Sequence, residues 1–322
     1  MNIHIRGDGV AARCCAHLLD RVSCERLSRP RIPVIMLSEA AQGLIRDIFQ
    51  KEYLFRGLPR IRKRVVRWGP DAAPVELDHS AVIVSEEDLL DVLGLEQSEG
   101  GDADWTMIAS GPLPAETTEH RFGSRVAMSV KVKLKVPGDT CQAETCWMES
   151  VEHGWLFLNS GWLIAVGGRP RELLESSRLI RDEIESIDAG TMQFPSSPRM
   201  ATPLGGGGWI CCGSAAMTFD PICGDGTAHA VREAILASAV MRAVGRGEDA
   251  RPLLAHYEAR LTAGFERHLE HCLQFYSSGG DGAWWREQAK SAERGIAWCR
   301  RRMEGHGRFR YRLNGLELEE IG

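Results

Sequence analysis

The sequence lacks the features that mark membrane, secreted and nucleic-acid-binding proteins. No segment approaches the ~18 consecutive apolar residues of a transmembrane helix, and the N-terminus has no basic segment followed by an apolar one, as a secretion signal has. The formal net charge of -5 provides no overall attraction for nucleic acid. We therefore expect a cytoplasmic protein that binds neither a membrane nor a nucleic acid.

The sequence also lacks metal-binding spacing among its cysteines. Cys141 and Cys146 have no second pair at zinc spacing and no histidine cluster nearby, so we expect no metal site. Without a secretion signal, the 10 cysteines are expected to be reduced thiols. Several lie in apolar context and are interpreted as small core residues, namely Cys14, Cys15, Cys211 and Cys212.

The composition is that of an ordinary globular protein. With 322 residues, of which 43% are hydrophobic and 26% charged, the chain is long enough for one large domain or two closely joined ones. One basic run stands out, Arg60-Ile-Arg-Lys-Arg-Val-Val-Arg67. Apolar residues interrupt it and acids follow soon after, which favours the polar side of a strand or loop over a site for nucleic acid or anionic lipid.

The chain begins with a pattern typical of a dinucleotide-binding turn. A minimal strand, Asn2 to Ile5, leads into Gly7-Asp-Gly-Val-Ala-Ala12 and then into an apolar helix over Ala11 to Leu19. In this order the first glycine makes the turn and the second lets a pyrophosphate approach the backbone. The G-x-G-x-x-A spacing between a strand and a helix therefore predicts a bound dinucleotide.

A second strand is predicted over Pro33 to Leu37. In a Rossmann-type domain the acid that binds the adenosine ribose follows this strand, and Glu39 is the available candidate. Ser38 fits the register equally well. Glu39 can equally be an acid in the first turn of a helix over Ala40 to Phe49, and both interpretations stay open at this point.

The middle of the chain changes to an antiparallel pattern. Arg125 to Val136 alternates apolar and polar residues, and further short strands are predicted over Cys146 to Ser150, Trp155 to Leu158 and Trp162 to Val166. Arg171 to Ile187 is predicted to be helical. We expect this meander to form a wall over a ligand site.

The stretch from Gly205 to Val244 combines a short strand, a small-residue turn at Gly213 to Ala216, and a long helix that begins near Thr227. Asp225 and Thr227 can accept hydrogen bonds from the first-turn amides of that helix. A helix N-terminus preceded by glycines offers free N–H groups and a positive dipole end. The stretch therefore predicts a cofactor cradle, with a tight strand-turn-helix packed for its own sake as the alternative.

Together these motifs resemble the flavoprotein monooxygenases of the p-hydroxybenzoate-hydroxylase type. The closer likeness is to the branch that includes flavin-dependent tryptophan halogenases and the flavoproteins that mature protein-derived quinone cofactors. The resemblance covers nearly the whole chain and is strongest at Asp220-Pro221 and Gly224-Asp-Gly226. It implies an α/β fold: a Rossmann-type FAD-binding domain with an inserted antiparallel β-sheet substrate domain and a helical C-terminal tail.

The resemblance implies boundaries and FAD contacts. The FAD-binding domain would comprise residues 1–64, 85–112 and 203–248, the substrate domain 65–84 and 113–202, and the helical region 249–322. The first turn would face the pyrophosphate, Glu39 the ribose, the Gly213 turn the ribityl chain, and Pro221 to Gly226 the isoalloxazine. The full set is Gly7, Gly9, Val10, Ala11, Ala12, Glu39, Gly213, Ser214, Asp220, Pro221, Gly224, Asp225, Gly226 and Thr227.

The implied activity is that of an FAD-dependent monooxygenase that hydroxylates an electron-rich, for example aromatic, substrate through a flavin hydroperoxide. The substrate would be a small molecule or a peptidyl group, and reducing equivalents would come from transiently bound NAD(P)H or a separate flavin reductase. His229, in the first turn of the long helix, is the candidate acid–base residue, with a structural role as the alternative.

Two departures from the family pattern support other functions. Ser214 replaces the aspartate of the family, and Ile108 stands where the related strand often carries an acid, so a flavin-binding or degenerate accessory or maturation protein without redox catalysis is the alternative. A halogenase is disfavoured, because Trp155-Leu-Phe-Leu-Asn-Ser160 keeps only the first tryptophan of W-x-W-x-I-P. Neither Lys51 nor Lys63 has the context of the halogenase lysine.

Overall fold

The computed structural model describes residues 1–27, 29–95, 102–135, 144–304 and 309–321. The strand end predicted at Val136, and Cys141, lie outside these residues. Within the described ranges, no helix is both long enough and apolar enough to span a membrane.

The strands of the described chain, in order, are β1 (Ile3–Arg6), β2 (Val22–Glu25), β3 (Ile35–Ser38), β4 (Arg60–Arg67), β5 (Val75–Val84), β6 (Trp105–Ile108), β7 (Thr118–Arg121), β8 (Val126–Leu134), β9 (Thr145–Val151), β10 (Gly154–Asn159), β11 (Trp162–Val166), β12 (Ile184–Pro195), β13 (Arg199–Thr202), β14 (Gly205–Gly206), β15 (Trp209–Cys211), β16 (Met217–Thr218), β17 (Tyr311–Asn314) and β18 (Glu317–Glu320). The helices are α1 (Val10–Leu18), α2 (Glu39–Phe49), α3 (Glu86–Leu93), α4 (Pro170–Glu175), α5 (Gly213–Ala216), α6 (Gly226–Gly245), α7 (Ala250–Ser278) and α8 (Ala283–Glu304).

A five-stranded sheet carries both glycine-rich turns. Its order is β14-β15-β6-β1-β2, in which β15, β6, β1 and β2 are parallel and β14 is antiparallel to its neighbour. Helix α1 packs against α6. Because the carboxyl ends of parallel strands share one edge of a sheet, the turns that follow β1, β6 and β15 meet at that edge.

The second parallel strand is β2, so the prediction that placed it at Pro33 to Leu37 is wrong. Strand β2 runs beside β1 from the pair Ile3 and Val22 to the pair Arg6 and Glu25. Residues 35–38 instead form β3, which pairs antiparallel with β5 in another sheet. The sequence does not predict β2, because a strand of only four residues has too little apolar alternation to be recognised.

The predicted antiparallel insert is an eight-stranded sheet of order β12-β8-β11-β10-β9-β4-β5-β3, in which only the β9–β4 pair is parallel. It begins with β3, earlier than the predicted boundary at residue 65. Alternate residues of a strand share one face. One face packs on α4 through an apolar cluster that includes Trp147, Leu158 and Leu173, and the other face lines the site described below.

The helix predicted over Arg171 to Ile187 is shorter than expected. Helix α4 ends at Glu175, and β12 begins at Ile184. The fully buried carboxylate of Glu149 accepts hydrogen bonds from the backbone N–H groups of residues 178, 179 and 180 at 2.7, 3.1 and 3.0 Å. It thereby satisfies amides that a continued helix would have bonded, and the chain turns there.

The C-terminal region is helical, as predicted. Helices α7 and α8 pack on each other, α7 also packs on α6, and the chain closes in the β17–β18 hairpin. Helix α6 is buried along most of its length, and many of its buried residues are small, for example Ala234, Ser238 and Ala239. The comparably small buried residues of α1, Ala11, Ala12 and Cys15, face the same core.

Candidate cofactor site

Two cavities lie at the carboxyl edge of the parallel sheet and meet at the N-terminus of α6. The larger, of about 640 Å³, we call the glycine-turn cavity. The smaller, of about 310 Å³, we call the aromatic cavity. Gly226, Thr227, Ile164 and Phe194 line both, so the insert sheet faces the first turn of α6 across the two cavities.

The structure places most of the predicted cofactor contacts in the linings of the two cavities and leaves three of them outside the linings. The contacts that line the glycine-turn cavity are Gly9, Val10, Ala11, Ala12, Gly213, Ser214, Gly226 and Thr227. Those that line the aromatic cavity are Asp220, Pro221, Gly224, Gly226 and Thr227. Gly7, Glu39 and Asp225 line neither cavity.

Gly7 and Gly213 shape the glycine-turn cavity through their backbones. Gly7 has a φ of 115°, and a Cβ there would lie 2.3 Å from Ser110 Oγ and 3.0 Å from the Ser110 amide nitrogen. Gly213 has a φ of 54°, and a Cβ there would lie 2.7 Å from the Cβ of Ala11. Because only glycine tolerates both the conformation and the contact, the three turns can approach one another closely.

Two ion pairs form one wall of the glycine-turn cavity. Arg31 pairs with Asp8, which lies inside the first glycine turn, and Arg29 pairs with Glu86. Burial tends to raise the pKa of Asp8, but the hydrogen bond and charge of Arg31, with the charges of Arg29 and Arg13, hold that pKa below its ordinary value. The carboxylate therefore stays ionised, and the partly exposed Arg29 and Arg31 line the cavity.

Two serine hydroxyls lie on the opposite wall. Ser214 Oγ donates to the backbone oxygen of Ala109 at 3.2 Å, which leaves its lone pairs available. Ser110 Oγ is buried and has no hydrogen-bond partner among the described residues. An orphaned hydroxyl beside open cavity space suits the hydroxyl or phosphate oxygens of a ligand.

The predicted capping role of Asp225 is wrong. Asp225 occupies the N-cap position of α6, but its side chain caps no amide. Its carboxylate instead pairs with Arg232 at 3.1 Å and accepts a hydrogen bond from Ser38 Oγ at 3.5 Å. The first turn of α6 therefore presents its amides and positive dipole end where the two cavities meet.

Asp220 is a structural anchor. One carboxylate oxygen accepts from Arg125 Nε at 3.0 Å and from the Tyr276 hydroxyl at 2.8 Å, and the other accepts from the Ile222 amide at 3.0 Å. These contacts join the insert sheet, α7 and the 3-10 turn over Pro221–Cys223. Asp220 thus positions the loop beside the cavities, while its own oxygens are already committed.

Five aromatic side chains line the aromatic cavity, together with aliphatic ones. They come from β10, β11, β12 and the loop before α6: Trp155, Phe157, Trp162, Phe194 and Phe219. The polar part of the lining comprises Arg64, Asn159, Thr227 and Asp220, the last with its carboxylate already bonded to Arg125 and Tyr276. Two donors in this lining, Arg64 Nε and Trp155 Nε1, are buried with no partner in the described part of the chain. The cavity therefore suits a planar, electron-rich group that also carries hydrogen-bond acceptors.

His229 lies on the far side of Phe219 from the aromatic cavity. The two rings stack at 4.1 Å between centroids, and His229 faces a separate cavity of about 450 Å³. Burial, only partly opposed by the charge of Asp225, lowers the pKa of His229 below its ordinary value. This placement supports the structural alternative, in which His229 backs a wall of the site, over the acid–base role.

Glu39 is the first residue of α2, beyond the edge of the parallel sheet. Its neighbour Ser38 accepts a hydrogen bond from the Ala41 amide at 3.2 Å and so caps that helix. The position that follows from the sheet topology belongs to Glu25, which ends β2 and lies 3.5 Å from Arg6 Nε. The signal in the sequence is the short segment Val22-Ser-Cys-Glu25, which lies closer to the glycine turn than Glu39 does.

A buried histidine near the site predicts acid sensitivity of the fold. Burial, together with the charges of His229, His271 and Arg125, lowers the pKa of His268 to about 3. Its Nε2 accepts a hydrogen bond from the Asp220 amide at 2.9 Å. Because the folded pKa lies below the ordinary 6.5, the unfolded chain binds the proton first, and stability falls as pH drops below ~6.5 toward 3.

We expect His268 alone to lower the free energy of unfolding by about 2 kcal/mol between pH 7 and pH 5. Urea denaturation at the two pH values measures this loss. The His268→Gln variant, whose side chain keeps an acceptor and does not titrate, should lose about that much less over the same interval. An equal loss in both proteins would show that His268 is not the group responsible.

The fold is that of the FAD-dependent monooxygenases and halogenases, which confirms the expected fold class. The peptidyl tryptophan dihydroxylase QhpG, essential for tryptophylquinone cofactor biogenesis, is 18% identical and has a TM-score of 0.73 over 99% of this chain and 86% of that chain. The myxobacterial chondrochloren halogenase CndH is 16% identical, with a TM-score of 0.73 over 95% of this chain and 90% of that chain. An HpxO variant from Klebsiella pneumoniae, complexed with FAD, is 14% identical, with a TM-score of 0.62 over 94% of each chain.

No protein family matches the chain, and no curated protein matches it in sequence. These comparisons therefore establish the fold of the chain.

Proposed function

We propose that this chain is an FAD-dependent monooxygenase that hydroxylates an electron-rich substrate. The observation that carries the proposal is the meeting of the two cavities at the N-terminus of α6. One cavity is walled by glycine turns and arginines, as a dinucleotide requires, and the other is walled by aromatic side chains. A flavin ring placed between them would touch both a phosphate site and a substrate site.

The residues present fit FAD. Apart from its chain neighbours and its own helix backbone, Gly226 has no atom within 4 Å of the position that a Cβ would take, so open space lies where the ring would rest. The orphaned Ser110 hydroxyl and the donors of Arg29 and Arg31 suit the ribityl and diphosphate groups. When bound and reduced, FAD would supply the activation of molecular oxygen.

The chain itself would bind, orient and exclude water. The dipole of α6 would stabilise negative charge that develops at its N-terminus. The aromatic walls would hold a planar substrate next to the ring and keep water out. Glu25, at the carboxyl end of β2, is the residue we propose for the adenosine ribose in place of Glu39.

Hydroxylation is favoured over halogenation by the cavity linings. Neither cavity has a lysine among the described residues that line it. Lys51 donates to the Val92 backbone oxygen at 3.3 Å, and Lys63 pairs with Glu76 at 3.0 Å at the surface. A cytoplasmic location, a small-molecule or peptidyl substrate and a separate flavin reductase, all expected from the sequence, remain proposals.

The test is the fate of molecular oxygen. FAD-loaded protein, photoreduced without air, is mixed with isotopically labelled oxygen and a panel of phenols, indoles and tryptophan peptides, with and without bromide. We expect one labelled oxygen atom in a product and a matching decrease in hydrogen peroxide. Complete recovery of the electrons as peroxide with every compound would support the flavin-binding alternative without catalysis, and a brominated product would support a halogenase.

A further inference from the structure

We propose that the substrate carries an anionic group, a carboxylate or its equivalent, beside its aromatic ring, and that Arg64 binds this group. The inference rests on the proposed function in one respect only, namely that the aromatic cavity is the substrate site. It assigns a role to the basic run at 60–67, which the cofactor site leaves unexplained.

Arg64 lies on the face of the insert sheet that lines the aromatic cavity. Strand pairing places Arg64 of β4 opposite Cys146 of β9, Cys146 opposite Asn159 of β10, and Asn159 opposite Trp162 of β11. Arg64, Asn159 and Trp162 all line the cavity. Arg64, Asn159 and Trp162 thus lie side by side across neighbouring strands, and their polar groups share one part of the cavity lining.

Arg64 is the one cation of the basic run that lines the aromatic cavity, and no ion pair with an acid is found for it in the described part of the chain. Arg62 pairs with Glu144 at 2.8 Å, Lys63 with Glu76 at 3.0 Å, and Arg67 with Glu149 at 3.4 Å. Among the described residues, Arg60 and Arg64 have no such pair, but Arg60 is exposed to solvent whereas Arg64 is partly buried and reaches the cavity.

The contacts that Arg64 does make leave its charge uncompensated. Its Nη2 donates to His79 Nε2 at 3.2 Å, and its buried Nε has no oxygen or nitrogen partner among the described residues. Arg64 also interacts with the Cys146 thiol, whose pKa burial raises, so that this partner is neutral. Burial, and then the charge of Arg64, lowers the pKa of His79 to about 4, so the imidazole is neutral near pH 7. A partly buried cation without an anion is costly, and a guanidinium binds a carboxylate through two parallel hydrogen bonds.

The other residues that line the cavity indicate what kind of molecule carries the anionic group. Five aromatic side chains line the cavity beside aliphatic ones, and the Asp220 carboxylate in the lining is already compensated by Arg125. The buried Trp155 Nε1 is a second donor without a partner in the described chain. A purely apolar ring would leave both donors unsatisfied, whereas an aromatic acid would fill the walls and supply acceptors. The cavity of about 310 Å³ has room for a single-ring or indole acid.

Binding of acids and their neutral amides of the same shape tests the inference. The probes are 4-hydroxyphenylacetate and indole-3-acetate with their amides, and N-acetyl-Trp-Glu-amide with N-acetyl-Trp-Gln-amide. Dissociation constants are measured by calorimetry on the full chain without added flavin, so a failure of FAD chemistry does not affect the result. We expect at least one acid to bind ~10-fold or more tightly than its amide, since hydrogen bonds to charged groups are the stronger ones.

Two variants assign the preference to Arg64. Arg64→Gln should reduce the affinity of the acid to that of the amide and leave the amide unchanged, and Arg64→Lys should restore part of the difference. The control, Arg62→Gln, removes a surface cation of the same strand and should preserve the preference. As an independent sign of the lost charge, NMR titration should show a higher pKa for His79 in Arg64→Gln.

The outcomes separate the possible sources of the anion and can overturn the inference. Discrimination only within the peptide pair would identify a peptide acid beside the aromatic residue, and discrimination within the small acids a free aromatic acid. The inference is overturned if no acid binds more tightly than its amide, or if Arg64→Gln weakens acid and amide equally.

Discussion

Replacing Arg125 with methionine is expected to lower the free energy of unfolding by roughly 3–5 kcal/mol, the range found when one partner of a buried ion pair is removed. Side chains of both Arg125 and Asp220 are almost entirely buried, at 3% and 0% exposure. Arg125 Nη1 also donates to Gln288 Oε1 at 2.7 Å, and its guanidinium lies over the ring of Tyr276. Methionine fills the space but leaves the carboxylate of Asp220 buried with less compensation.

Equilibrium urea denaturation, followed by tryptophan fluorescence, measures this loss. Arg310→Met is the matched control, because the Arg310–Glu320 pair is fully at the surface and its removal should leave stability nearly unchanged. Asp220→Asn, combined with Arg125→Met, should recover part of the lost stability, since the uncompensated charge is then gone. A loss in Arg125→Met no larger than in the control would contradict the role of Asp220 as the anchor of the loop at Pro221–Cys223.

Replacing Gly226 with leucine is expected to weaken FAD binding by about 100-fold or more, a cost of roughly 2.7 kcal/mol. Gly226 lines both cavities, and no atom lies within 4 Å of the position of its Cβ. An isobutyl group there would occupy the space proposed for the flavin ring. Because no atom of the protein lies close by, the fold should tolerate the change.

Gly43→Leu is the matched control for this variant. Gly43 lies in α2, also has no atom within 4 Å of its Cβ position, and lines neither cavity. Flavin fluorescence titration should give wild-type affinity for Gly43→Leu, and thermal denaturation should show both variants folded. If Gly226→Leu bound FAD as tightly as the wild type, the flavin ring could not lie at the N-terminus of α6.

The parts of the site that sequence could predict are the local ones. The turn from Gly7 to Ala12 and the start of α6 at Gly226 follow from residues that are neighbours in the chain. Residues 9–12 and Gly226 line the glycine-turn cavity, and Gly7 lies behind its lining. The exposed amides of a helix N-terminus and the φ values that glycine permits are properties of a few consecutive residues. Spacing alone therefore locates them.

The parts that sequence could not predict depend on distant partners. Asp225 was expected to cap α6, but Arg232 and Ser38 bind its carboxylate. His229 is expected from the sequence to face the flavin, but its position around the axis of α6 places its ring behind Phe219. In the sequence Arg64 is one cation of a basic run, and its place in the cavity lining depends on the pairing of β4 with β9.

In the antiparallel insert, too, the sequence predicts the features that depend on neighbouring residues and misses those that depend on distant ones. Alternation predicted strands such as β8 and β11, and the structure contains them. The end of α4, by contrast, depends on Glu149, a residue far away in sequence that binds the amides of the bend. The identity of the second parallel strand likewise depends on pairing with β1, which no local pattern reveals.

An absorbance spectrum of the purified protein, taken after incubation with FAD and removal of the excess, tests the central claim most directly. We expect retained bands near ~375 and ~450 nm, which belong to the oxidised cofactor, in the wild type and in Gly43→Leu but not in Gly226→Leu. A wild-type protein that stays colourless, and that shows no saturable quenching of flavin fluorescence on titration, would contradict the assignment of the glycine-turn cavity to FAD.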